Sequence, residues 1–177
     1  NDSWNSRTAT HSRQASLKSL TMFQQRLYAL EATSGTITRA TRSPRSVGTF
    51  SNWLKESPNL SSAKQIVVDG SIFVLQDATT VTNYFSGKKT TFALPAVTPA
   101  ITDITRIWTT EDAKYLYLLE AAQRRIIVVT KEGAFVRQYS ADSWTAAKDL
   151  AINEKDKFGY ILNGSAIERF PLTDLTF

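Results

Sequence analysis

An aliphatic-aromatic-aliphatic run occurs four times along the chain. The copies are Leu27-Tyr28-Ala29-Leu30, Ile72-Phe73-Val74-Leu75, Leu116-Tyr117-Leu118-Leu119 and Gly159-Tyr160-Ile161-Leu162, so the aromatics stand at 28, 73, 117 and 160, at intervals of 45, 44 and 43 residues. A return this regular marks an array of like supersecondary units, each too small to bury its own apolar face and each packing on its neighbours.

The segments between the returns read as short strands. In the third copy Ile104 to Trp108, Tyr115 to Leu119, Arg125 to Val129 and Ala134 to Tyr139 are rich in β-branched and aromatic residues, and the stretches between them are polar or contain Gly. The second copy repeats the plan with Gln65 to Val68, Ser71 to Leu75, Val81 to Tyr84 and Thr90 to Leu94. There Asp69-Gly70 predicts a two-residue type I′ hairpin. Four antiparallel strands per repeat predict an all-β chain, a β-propeller of four four-stranded blades of about 44 residues each. The expected bounds are 17–60, 61–103, 104–146 and 147–177. The aromatics of the four runs are expected in the core, because a middle strand packs on a neighbouring blade through both faces.

The fourth copy ends without room for an outer strand, while residues 1–16 precede the first copy. Either the stretch around Trp4 to Thr10 closes a four-bladed ring, or the four blades are part of a larger one. The chain begins without Met, as expected of a piece of a longer protein.

Composition excludes several chemistries. The chain has no cysteine, which removes disulfides, thiolate nucleophiles and sulfur-ligated metals. His11 is the single histidine and lies outside the repeats. Gly87-Lys88-Lys89-Thr90 lacks the upstream glycine of a phosphate-binding loop. The carboxylates Glu111, Asp112, Asp142, Glu154 and Asp156 fall in predicted turns. No cofactor and no metal is expected. No apolar run reaches the roughly 18 residues of a membrane-spanning helix.

Charge and aromatics point to contact surfaces instead. Residues 1–60 hold eight Lys/Arg against three Asp/Glu, and residues 61–177 hold thirteen of each. Arg39, Arg42 and Arg45 form the densest basic stretch, suited to an acidic partner; nucleic acid is disfavoured because no aromatics alternate with the arginines. Trp53 and Trp144 fall in connections between one blade's outer strand and the next blade's inner strand, where propellers place ligand loops. Both are candidate contact residues, with a gap-filling role between blades as the alternative.

The stretch from Tyr115-Leu116-Tyr117-Leu118-Leu119-Glu120 through Arg125 to Tyr139 resembles the blades of NHL-like and TolB-like β-propellers. More particularly, the chain is similar to the propeller domain that some bacterial proteins carry after a PPM-type phosphatase-like domain and a membrane anchor. That resemblance implies a non-catalytic sensory or scaffolding module, placed outside the cytoplasm, which recognises a protein, peptide or glycan. Two other functions compete with it: a propeller hydrolase or lyase using channel carboxylates, with or without calcium, and a structural module that assembles with other copies.

Overall fold

The structure is a computed structural model that describes residues 17–31, 33–43 and 46–177. The described residues hold sixteen strands and no helix, in four antiparallel sheets. Blade 1 contains β1 (Leu17–Phe23), β2 (Arg26–Glu31), β3 (Thr36–Ser43) and an outer edge split into β4 (Ser46–Val47) and β5 (Ser51–Asn52). Blade 2 contains β6 (Gln65–Val68), β7 (Ile72–Leu75), β8 (Val81–Phe85) and β9 (Lys88–Lys89). Blade 3 contains β10 (Arg106–Trp108), β11 (Tyr115–Glu120), β12 (Arg125–Thr130) and β13 (Phe135–Ser140). Blade 4 has three strands, β14 (Ala147–Asn153), β15 (Phe158–Asn163) and β16 (Ala166–Pro171). Strands follow chain order across every sheet except that β5 pairs with β3, and the four sheets form a four-blade β-propeller.

Side-chain alternation turns each blade into a two-faced wedge. In β2 and β3 Tyr28, Leu30 and Ile37 look toward blade 2, where Ile66, Val68, Ile72 and Val74 receive them. Phe73, Leu75 and Val81 look toward blade 3 and meet Ile107, Leu116 and Leu118. Tyr117, Leu119 and Ile126 look toward blade 4 and meet Leu150, Ile152 and Ile161. In blades 1 to 3 the periodic aromatic is thus the plug for the next blade, and three buried clusters make three joints; Tyr160, also expected in the core, is 36% exposed instead, because no further blade packs on it among the described residues. The Tyr117 hydroxyl donates to Glu154 at 2.9 Å, and burial ahead of that carboxylate pushes its pKa far above the ordinary phenol value.

Polar links run alongside the apolar ones. Ser19 Oγ accepts from the Ile66 amide at 3.1 Å. The Gln65 side chain accepts from the Ile107 amide at 2.8 Å and donates to the Ile107 carbonyl at 2.9 Å. Arg106 stands 3.8 Å from Asp149. The register pairs Ser19, Gln65, Arg106 and Asp149 with Leu30, Leu75, Leu119 and Leu162, so they are the same position in four blades.

Two local expectations are corrected. Residues 90–94 form no strand, because the outer edge of blade 2 is the two-residue β9. The chain there leaves the ladder, Phe92 stacks edge-on against Phe73 at 5.4 Å, and the Ala93 carbonyl crowds Gly133. Gly133 has a φ of +97 and no space for a Cβ, so only glycine lets that strand-to-strand turn pass. The Asp69-Gly70 hairpin is not type I′. Val68 pairs with Ile72, only Gly70 takes positive φ, and the Asp69 carboxylate accepts from the Ser71 amide at 2.9 Å. That side-chain bond supplies the closure which a second positive φ would have given.

Candidate functional site

Of the expected contact residues, the structure brings Trp53 and Arg39 together. Residues 51–56 leave β5 and run between blades 1 and 2, tied on one side by the Trp53 amide to the Ile37 carbonyl at 2.9 Å and on the other by the Lys55 amide to the Gly87 carbonyl at 2.8 Å. Asn52 Oδ1 accepts from Thr36 Oγ1 at 2.8 Å and from the Leu54 amide at 3.2 Å. Gly87, at φ +84, lies so close that an added Cβ would stand 2.7 Å from the Trp53 carbonyl oxygen. The indole, held this way, meets Tyr28 edge-on at 6.0 Å, partly buried against the blade 1–blade 2 cluster.

The result is a cleft of about 520 Å³ whose lining includes Phe23, Arg26, Tyr28, Arg39, Trp53, Lys55 and Phe85. Tyr28 and Arg39 are cross-strand partners, and Arg26 faces Thr41 two residues along. Phe85 is largely exposed. No carboxylate lines the cleft, and among the described residues Arg26, Arg39 and Lys55 make no ion pair. Three cations therefore converge on an aromatic wall with no internal anion to neutralise them.

The other expected residues part company with this site. Arg42 is exposed on β3, but it lies three positions after Arg39, an odd offset, so strand alternation sends it to the opposite face. Arg45 lies outside the described residues, as do His11 and the expected closing stretch within residues 1–16. Trp144 is corrected as a contact residue. It is 3% exposed and stacks on Phe170 at 5.2 Å inside the blade 3–blade 4 cluster. Its connection is only six residues long, from Ala141 to Ala146, which pulls the indole into the joint. The connection carrying Trp53 has twelve, from Trp53 to Lys64, enough to present a ring at the surface.

Two of the carboxylates in the predicted turns, Glu154 and Asp156, serve the scaffold. Glu154 accepts from the amides of Lys114 at 2.7 Å and Tyr115 at 3.2 Å, besides the Tyr117 hydroxyl. The Asp156 carboxylate accepts from the Asn153 side-chain Nδ2 at 2.8 Å. Among the described residues no three His, Asp or Glu side chains gather as a metal-ligand set. A buried pair that sequence reading passed over lies elsewhere: Arg125 Nε donates to Glu120 Oε2 at 2.7 Å, with both side chains almost fully enclosed. Glu120 Oε1 also accepts from the amides of Thr102 at 2.6 Å and Asp103 at 3.0 Å. Burial alone would raise the Glu120 pKa; those two amides and Arg125 outweigh it and hold the carboxyl below its ordinary value. Asn163 stands at the same place in blade 4 and accepts from the Ala146 amide at 2.8 Å. Both side chains pin the connection that enters their own blade. The signal was present in the sequence, since Glu31, Gln76, Glu120 and Asn163 each follow the periodic aromatic by three residues.

No protein-family model matches the chain, and no curated protein matches it in sequence. Solved structures do. The computationally designed Ika4 protein aligns with a TM-score of 0.64 at 12% identity, covering 96% of this chain and 99% of that one. The designed Ika8 protein gives 0.63 at 13%, covering 90% of this chain and 46% of its own. Virginiamycin B lyase from Staphylococcus aureus gives 0.57 at 12%, covering 92% of this chain and 58% of the enzyme. The chain thus spans about half the length of the Ika8 and lyase chains, and the likeness shows the β-propeller fold alone.

Proposed function

We propose that this chain is a recognition module whose cleft between blades 1 and 2 binds an acidic segment of a protein partner. The observation that carries the reading is the convergence of Arg26, Arg39 and Lys55 on the Trp53–Tyr28–Phe85 wall with no carboxylate in the lining. Arginine and tryptophan are the residue types in which interface energy concentrates, and a planar guanidinium takes a carboxylate through two parallel bonds. The strap that holds Trp53 is fixed at both edges, so the wall is formed before the ligand arrives and little ordering entropy is lost on binding.

The test is fluorescence anisotropy of a labelled peptide of alternating glutamates and aromatics. Binding is expected to weaken at least about tenfold in Arg39→Glu, to fall with added salt, and to stay unchanged in Arg42→Glu, which sits on the other face. Equal binding by wild type, Arg39→Glu and Trp53→Ala would overturn the reading. The resemblance to sensory propellers supports a wider role as the recognition part of a larger membrane-anchored protein, displayed outside the cytoplasm. Protease accessibility of the parent protein in intact cells tests that role.

A further inference from the structure

The blade joint has two halves, and this molecule carries one of each half unmated. The first half is the trio of middle strands that looks toward the next blade. Tyr28, Leu30 and Ile37 in blade 1, Phe73, Leu75 and Val81 in blade 2, and Tyr117, Leu119 and Ile126 in blade 3 are each 4% exposed or less. The register makes Tyr160, Leu162 and Ile167 the same trio in blade 4, since Leu162 pairs with Ile167 as Leu30 pairs with Ile37 and Leu119 with Ile126. Those three are 36%, 39% and 74% exposed. Together with Asp149 and Ala151 they line an apolar groove of about 210 Å³.

The second half is the inner-strand pair that receives the previous blade. Ile66 and Val68 fill this role in blade 2, Ile107 in blade 3, and Leu150 and Ile152 in blade 4, all buried. Their counterparts in blade 1 are Leu20 and Met22: Leu20 pairs with Ala29 as Ile66 pairs with Val74 and Leu150 with Ile161. Ser19 reaches blade 2 and Phe23 packs on the blade 1–blade 2 cluster, so alternation turns Leu20 and Met22 away from blade 2. They are 62% and 55% exposed. Among the described residues no buried cluster joins blade 4 to blade 1.

We infer that the free face of blade 4 is the seat for the blade 1 inner strand of a second copy of this chain, so that two copies join head to tail through two equal joints and close one ring. A second copy is the occupant the observations select. Each molecule presents both halves of the joint, the missing contact repeats three joints already made within the chain, and four blades span 46% of the Ika8 chain on which they superpose. A two-fold axis through the ring centre satisfies both ends of both molecules, leaving no open end for further growth. Sheet faces this apolar are otherwise sites of uncontrolled association.

The experiment is light scattering coupled to size exclusion on the full chain, from low micromolar to several hundred micromolar. A mass of twice the 19.7 kDa chain is expected, falling toward the monomer on dilution. Leu20→Arg and Ile167→Glu, both at exposed positions, should each weaken the dimer at least about a hundredfold, with circular dichroism reporting an intact fold. Mixing the two variants in equal amounts should restore the dimer, because one joint is then wild type on both sides and the other pairs opposite charges. A wild-type chain that stays monomeric throughout overturns the inference and leaves the face to another occupant. A dimer broken by Ile167→Glu and untouched by Leu20→Arg also overturns it, as that pattern belongs to two blade 4 faces packed on each other. Neither residue lines the Trp53 cleft, so failure here leaves the ligand reading standing.

Discussion

The face of blade 3 that meets blade 4 and the face of blade 4 that meets no blade among the described residues are built from the same residue types at the same register positions. Tyr117, Leu119 and Ile126 are sealed in the first; Tyr160, Leu162 and Ile167 stand in solvent in the second. Hydrophobic pattern therefore specifies the shape of a blade face, whereas burial is decided by what stands opposite. Stability should follow the neighbour and not the residue, and paired substitutions at equivalent positions can separate the two.

The largest contrast is expected around the ion pair beneath the mated face. Glu120→Ala leaves Arg125 enclosed and without its anion, a loss of roughly 3 to 5 kcal/mol; Asn163→Ala, at the counterpart position in blade 4, removes hydrogen bonds to the Ala146 amide, the Ser143 carbonyl and the Glu168 carboxylate but strands no buried charge, and should cost roughly 1 to 2 kcal/mol. Urea denaturation measures both. Nearly as large is the difference between Leu119→Ala, a cavity in a sealed joint costing roughly 2 to 5 kcal/mol, and Leu162→Ala, expected within about 0.5 kcal/mol in dilute solution. Equal losses would break the comparison, for they would mean that both faces are covered in solution.

Acid sharpens the same contrast. The Glu120 carboxyl titrates below its ordinary 4.5 in the folded chain, so its contribution is complete above the unfolded value and is lost as pH falls through the folded one. Thermal melts of wild type and Glu120→Gln should lie well apart near neutral pH and draw together below about pH 4.5. A gap that stays constant into acid would show that Glu120 acts through shape alone. The smallest effect is expected in the cleft: Arg39→Gln should shift the melting temperature little, since Arg39 is half-buried without an ion pair among the described residues and a surface charge contributes about 0 to 1 kcal/mol, while it weakens the acidic peptide measurably.

The repeat period made the fold legible. Aromatics 45, 44 and 43 residues apart located four blades, and the stretches between the β-branched and aromatic segments located the strands of the third. Less of the site could be read. Arg39 and Trp53 were both visible as residue types, but their meeting depends on β5 pairing with β3 and on the strap reaching Gly87, contacts between segments with no local signature. Arg26 and Phe85 were invisible for the same reason, lying thirteen residues before Arg39 and thirty-two after Trp53. Trp144 misled because a connecting-loop position says nothing of loop length in space, and its short loop folds the ring inward. The Glu120 position had a signal, the polar residue three places after each periodic aromatic, which only the register of β11 against β12 turns into a buried clamp.

One measurement confronts the equivalent faces directly: hydroxyl-radical footprinting of the whole chain, read residue by residue by mass spectrometry, at submicromolar and at several hundred micromolar protein. The account predicts that at low concentration Tyr160, Leu162 and Ile167 are oxidised many times faster than Tyr117, Leu119 and Ile126, and that high concentration protects the first trio together with Leu20 and Met22. Slow oxidation of both trios at the lowest concentration would contradict it, because the blade 4 face would then be sealed within the single chain.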